Sequence, residues 1–275
     1  MKPIPRRSLH AALAGSPLAL AATLAAPAPA HAQQPGILQQ VLSRGSVRIA
    51  VLASLPPFAQ MTPSGQPEGY DIDIAHMLAA SLKVKPELIV TDIPTRVTGL
   101  QTRKFDLTIA DFTRNVDRST TIAFTDPYLF TGGKAMVLID SPAKVLTDLN
   151  DPKYRIAIDR GGTAEVMVPA VVPKAQLVRF NTEADEFAAL MNGQADAMAE
   201  DTLYNQRQIR DHPGKLRETE GWFGSNEICI GLPAGDFDWW RVINLWVHQF
   251  NASGDNARLF RKWFGFDLPK IQAQF

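Results

Sequence analysis

Between residues 47 and 110 the chain reads VRIAV (47–51), DIDIAHMLAASL (71–82), LIV (88–90) and LTIA (107–110). The first, third and fourth runs are short and apolar, the first two of these rich in β-branched residues, and they predict strands. In 71–82, Ile74, Ala75, Leu78, Ala79 and Leu82 recur at helical spacing, which predicts an amphipathic helix. Pro56-Pro57-Phe58 ends the first strand in a turn, and Val97, Leu100 and Gln101 place a short helix before the fourth run. This strand–helix alternation predicts an α/β fold with a mostly parallel sheet flanked by helices.

Further along, the pattern restarts. Strands are predicted at 135–139, 155–158, 177–180 and 195–199, helices at 163–170 and 185–192, and one more apolar strand at 228–232. Two helices, 238–251 and 255–264, close the chain. Their Trp240, Ile243, Trp246, Val247, Phe250, Phe260 and Phe264 recur at helical spacing and read as core. Two αβ halves imply two lobes. Open α/β sheets bind ligands at the carboxyl ends of their strands, so the cleft between facing lobes is the expected site.

The N-terminus has a different character. Lys2, Arg6 and Arg7 precede an Ala/Leu-rich stretch, and Ala30-His31-Ala32 has the small-x-small form of a cleavage site. Residues 1–32 therefore read as a secretory signal, removed from the mature protein. A membrane anchor fits less well, because Gly15, Pro17, Pro27 and Pro29 interrupt the stretch. Arg6-Arg7 is compatible with twin-arginine export as well as ordinary export. The whole chain has 28 basic and 28 acidic residues, and the mature part a net charge of −3, with no basic footprint for nucleic acid. The single Cys229, in Ile228-Cys229-Ile230, cannot form an internal disulfide and reads as a buried thiol. An exported chain without a disulfide suits a bacterial periplasm.

Several segments, taken together, resemble the amino-acid-binding (family 3) solute-binding proteins of bacterial ABC importers. They are Gly45-x-Val47-Arg48-Ile49 with Pro57-Phe58, Gly69-Tyr70-Asp71-Ile72-Asp73-Ile74-Ala75, and Arg96-Val97 before Phe105-Asp106-Leu107. Thr113-x-Asn115-Val116-Asp117-Arg118, Ala123-Phe124-Thr125-Asp126-Pro127-Tyr128, Gly161-Gly162-Thr163 and Asn192-Gly193-Gln194-Ala195-Asp196-Ala197 follow in the family's order. The resemblance covers 45–265. It implies a two-lobed periplasmic-binding-protein-like (type II) α/β fold with a two-strand hinge near 130–134 and 226–230. Lobe 1 would be about 33–131 plus 230–275, and lobe 2 about 132–229. The implied function is capture of a free amino acid and delivery to a membrane ABC permease, by a monomer in the periplasm. No cofactor, metal, nucleic acid or membrane insertion after signal cleavage is expected.

A free amino acid needs donors for its carboxylate and acceptors for its ammonium, since either charge buried unpaired is costly. By the resemblance, Arg118 takes the carboxylate, a group that guanidinium matches with two parallel hydrogen bonds. Thr113 adds a donor, and Gly162 and Thr163, at a helix start where free N–H groups favour anions, close from lobe 2. Asp201 accepts from the ammonium. Alternation along its strand points the adjacent Glu200 elsewhere. Arg96 can reach a polar or acidic side chain, Asp111 and Glu183 lie near the ligand, and Leu52 and Phe58 belong to the side-chain pocket. Leu52 and Leu55 stand where binders of basic ligands often carry an acid and an aromatic, and the absence of both argues against an arginine or lysine ligand. The resemblance goes no further than a polar or neutral amino acid.

The sequence holds no Gly-x-Ser-x-Gly, phosphate loop or Cys/His cluster. Of its five His, His10 and His31 fall in the signal, and His76, His212 and His248 are scattered. The competing reading is an enzyme on the same scaffold. Periplasmic cyclohexadienyl dehydratases, acid-catalysed lyases acting on prephenate or arogenate, resemble this family, and Lys134 and Glu200 are the residues that would serve.

Overall fold

The computed structural model describes residues 35–269; the expected signal segment and residues 270–275 lie outside the described residues. The first half runs α1 (Ile37–Arg44), β1 (Ser46–Val51), β2 (Ser54–Leu55), β3 (Ala59–Met61), β4 (Pro67–Glu68), α2 (Tyr70–Ser81), β5 (Lys85–Val90), α3 (Thr95–Gln101), β6 (Leu107–Thr108), α4 (Val116–Ser119) and β7 (Ile122–Leu138). The second runs β8 (Arg155–Asp159), α5 (Thr163–Val171), β9 (Gln176–Phe180), α6 (Glu183–Met191), β10 (Ala197–Asp201), α7 (Thr202–Asp211), β11 (Leu216–Glu218), β12 (Gly224–Pro233), α8 (Phe237–Ala252) and α9 (Asp255–Phe264).

The main sheet has the order β5-β1-β6-β12-β7-β10-β8-β9, with β11 on the far end of β7. Within each half the strands are parallel: β1 with β5 and β6, β8 with β9 and β10. The two long strands in the middle, β7 and β12, are antiparallel to each other and to their neighbours. This makes a two-lobed α/β fold in which β7 and β12 carry the chain from one lobe to the other.

Burial explains the elements. Five of the six β1 residues are buried, as in a strand covered by helices on both faces. α2 packs Tyr70, Ile74, Ala75 and Leu78 inward, and Tyr70 meets Phe260 and Phe264 of α9 edge-on. At the entry to α2, Gly69 has φ 143°, and a Cβ there would overlap the Phe58 carbonyl, so only glycine fits. The second lobe has its own core of Val137, Ile156, Ile158, Val168 and Leu149. Where β7 crosses between lobes, side chains at Gly132 and Gly133 would overlap Trp222 and Phe223, whose rings lie against the strand.

Among the described residues, no helix is long and apolar enough to cross a membrane. Cys229 is fully buried, and burial pushes its thiol up to about 12. His76 and His248 are exposed on helices. The closing helices bury Ile243, Val247, Phe250, Phe260 and Phe264 as expected, while Trp240 and Trp246 are only partly covered. Trp239 takes the fully buried place, its indole N–H donating to the Asp106 carbonyl (2.9 Å).

Candidate functional site

Three parallel strands end at one place. Asp111 follows β6, Asp159 ends β8, and Glu200 and Asp201 end β10, so the carboxyl ends of strands from both lobes bring four acids together. They line a cavity with Glu183 at the start of α6, Arg96 on α3, Thr113, Thr163, Leu55 and Asn226. The cavity measures about 20 Å³, room for a water or two. The lobes are therefore drawn together in this structure. Two hydrogen bonds cross the cleft: Ser54 Oγ donates to Glu183 Oε2 (2.6 Å), and Arg118 Nη2 donates to the Gly161 carbonyl (2.8 Å).

The two arginines divide their work differently from the sequence expectation. Arg96 is buried in the cavity wall, with Nη1 donating to the Ala110 carbonyl (2.8 Å) and its guanidinium 4.7 Å from the Phe112 ring centre. Arg118 lies over the same ring at 5.1 Å but outside the cavity wall. Its Nη1 holds the Thr113 carbonyl (2.6 Å) while Nη2 reaches across to Gly161, so it spans the mouth of the cleft. Burial, with the neighbouring Arg96 charge, lowers it to about 10, and it stays charged at neutral pH.

Gly162 caps α5, and a Cβ there would overlap the carboxylate of Asp159. The free N–H groups at the start of α5 thus face an anion belonging to the protein itself. Thr163 lines the cavity beside it. Asp111 has a left-handed backbone (φ 44°), held by its N–H donating to Asp71 Oδ2 (2.8 Å); its own Oδ1 has no partner. Asp201 caps α7 through Leu203 N–H (2.8 Å) and accepts from Thr131 Oγ1 (3.0 Å).

Leu52 and Phe58 are placed elsewhere. Both are buried in the core of the first lobe, Phe58 packing on Tyr70 and Phe264, and neither lines the cavity. Leu55, three residues after Leu52, takes the wall position because the chain turns at Ser54 into β2. The expectation for Glu200 is also corrected. It lines the cavity next to Asp201 although both lie within β10, and Glu200 Oε1 folds back to accept the Asp201 N–H (2.7 Å). Lys134 does not line the cavity; it pairs with Glu218 (3.6 Å) and lies over Trp222 (4.3 Å).

The cleft is acid-rich, and burial dominates its electrostatics. Asp201 is raised to about 7, and Asp111, Asp159, Glu183 and Glu200 are all raised, in every case first by desolvation. Behind the wall, fully buried Glu186 is raised by desolvation and then by Asp159 and Glu200. Asp159 and Glu186 were not singled out from the sequence. The available signal for Asp159 was its place at the carboxyl end of a strand, directly before the Gly161-Gly162-Thr163 turn.

A family model described as bacterial extracellular solute-binding proteins, family 3, matches residues 47–266. The cyclohexadienyl dehydratase of Pseudomonas aeruginosa is 25% identical over 84% of this chain and 87% of its own. The L-arginine-binding protein of the same organism is 26% identical over 81% of this chain and 89% of its own. Among solved structures, an ancestral amino-acid-binding protein, described as a precursor of cyclohexadienyl dehydratase, superposes with TM-score 0.78. It is 30% identical and covers 82% of this chain and 99% of its own.

Proposed function

From a chain that belongs to the bacterial extracellular solute-binding proteins of family 3, we propose a receptor that captures a free amino acid between its lobes and delivers it to an ABC importer. One observation carries the reading: the strand ends of both lobes meet in a single cavity that presents a guanidinium and hydroxyls opposite carboxylates. Arg96, Thr113 and Thr163 suit the ligand carboxylate, and Asp111 and Asp201 suit its ammonium. Arg118 and Gly162 support closure around it.

Lobe 1 is assigned to 33–131 with 230–275 and lobe 2 to 132–229. The pairing of Phe130 with Glu227 and of Gly133 with Gly224 supports a hinge where β7 and β12 cross. The protein works in the periplasm after removal of residues 1–32, as a monomer that docks on a membrane permease.

The test is a thermal-shift screen of residues 33–275, refolded to strip carried ligand, against the twenty amino acids. Ligand at 100 times its dissociation constant stabilises by about 2.7 kcal/mol, a shift of several degrees at this size. No shift with any amino acid would end the receptor reading.

A second reading rests on Glu200. A half-buried carboxyl in the cavity wall whose proton affinity desolvation raises well above the ordinary carboxylate range is the kind of group a lyase uses to protonate a leaving hydroxyl. The dehydratase relative makes the comparison relevant. Incubation with prephenate or arogenate tests it: an aromatic product supports an enzyme, and unchanged substrate removes it.

A further inference from the structure

The cavity wall holds five carboxylates, Asp111, Asp159, Glu183, Glu200 and Asp201, against the single guanidinium of Arg96. A zwitterionic ligand brings one charge of each sign and leaves that excess unchanged. Among the described residues, neither Arg96 nor Arg118 makes an ion pair within 4.0 Å of a carboxylate, so the two arginines act on these acids only at longer range.

The excess is concentrated on one lobe. Oxygens of Asp159, Glu186 and Glu200 lie within 4.8 Å of one another, and Glu183 continues the group along the cavity wall. Their hydrogen bonding is incomplete. Glu183 is 1% exposed, and while its Oε2 accepts from Ser54, its Oε1 has no partner. Glu186 is 0% exposed, and neither of its oxygens has a partner. Buried acceptors are ordinarily satisfied, and a cation reaching these oxygens would supply the donors they lack. The group opens onto the cleft through Asp159, Glu183 and Glu200, so a ligand held by its α-amino and α-carboxylate groups can extend a side chain to it.

We propose that Asp159, Glu183, Glu186 and Glu200 form a subsite for a second positive charge, and that the ligand is an amino acid with a cationic side chain, an ammonium or a guanidinium. The inference rests on the receptor reading. It reverses what Leu52 and Leu55 implied: the acid missing from the first lobe is supplied by the facing one. An organic cation is favoured over a bare metal ion because three of the four acids are part of the ligand cavity itself.

The experiment is calorimetric titration of the ligand-stripped mature protein with matched pairs, arginine against citrulline and lysine against norleucine, with glutamine and calcium chloride alongside. Citrulline keeps the shape of arginine without its charge. Loss of charge-assisted hydrogen bonds predicts roughly 10- to 150-fold weaker binding for the neutral partner of the preferred pair. Glu183→Gln, which keeps an acceptor for Ser54, should shrink that ratio. Neutral amino acids binding as tightly as basic ones would overturn the proposal and leave the receptor standing. Calcium binding without a preference for basic amino acids would overturn it in favour of an inorganic cation. Binding of no amino acid would remove both readings. If the variant does not fold, the matched pairs on the unaltered protein still decide.

Discussion

Asp71→Asn removes a carboxyl that supports the site from beneath. Asp71 is fully buried; Oδ2 accepts from the Asp111 N–H (2.8 Å) and Oδ1 from the Tyr128 hydroxyl (2.9 Å). Burial raises it from 3.8 to about 7, its two hydrogen bonds and the Arg96 charge offsetting part of that. The folded protein therefore holds a proton that the unfolded chain releases near pH 4. The sign follows: the stabilisation is fully present below about pH 4 and is lost as pH rises through about 7. At about 1.36 kcal/mol per unit, some 2–3 kcal/mol disappears between pH 5 and 7, levelling off above. Asn keeps an acceptor for Asp111, and the Tyr128 hydroxyl can turn to accept from its amide, so the geometry survives. Urea denaturation of both proteins at pH 5, 6, 7 and 8 is the assay. The other raised acids slope both curves alike, so the informative quantity is the difference between them. That difference should change by about 2–3 kcal/mol from pH 5 to 7, the native protein losing the advantage. A difference constant with pH would refute a raised, buried Asp71.

Three further substitutions separate the site from its scaffold. Arg118→Ala removes the donor to Thr113 and Gly161 and should weaken amino-acid binding by roughly 1–3 kcal/mol in calorimetry; unchanged affinity would take Arg118 out of closure. Gly69→Ala combines a backbone region restricted to glycine with an overlap on Phe58, and should cost at least about 3 kcal/mol. That is a melting temperature lower by about 6–12 °C, and an unshifted transition would contradict the geometry. Leu52→Asp buries a charge in the core, so it should yield a poorly folded protein by circular dichroism. A well-folded variant with altered ligand preference would instead return Leu52 to the pocket.

The alternation of 47–110 and its restart after 135 were enough to anticipate the lobes, because strand and helix periods are local properties of the chain. The crossing was less legible. β7 runs seventeen residues through Pro127 and two glycines, and local composition gave only its last part, 135–139. Its pairing with β12 depends on Trp222 and Phe223 filling the space that the glycines leave, a long-range fit that no window of sequence contains. The site divides the same way. Asp201, Thr113 and Thr163 could be anticipated from motifs at strand and helix ends, and they do meet in the cavity. Glu200 was misplaced because its carboxylate folds back onto the Asp201 N–H, a local bond at the end of β10 that strand alternation does not contain. Asp159 and Glu186 belong to different elements and become neighbours only when β8 and α6 pack.

The closed cavity constrains how such a cleft can work. On the proposed reading an amino acid cannot enter about 20 Å³ unless the lobes part, and among the described residues β7 and β12 are the strands about which they would turn. Across the cleft, one neutral hydroxyl donor on a carboxylate and one guanidinium on a carbonyl oppose parting, each worth about 1–3 kcal/mol at most against water. Closing also presses five acids together, and desolvation first, then their mutual repulsion, raises their proton affinities. On the proposed reading, a ligand that supplies cations to those acids would bind the closed form selectively, and differential affinity of that kind is what shifts a population. The same carboxylates would then couple ligand charge to closure.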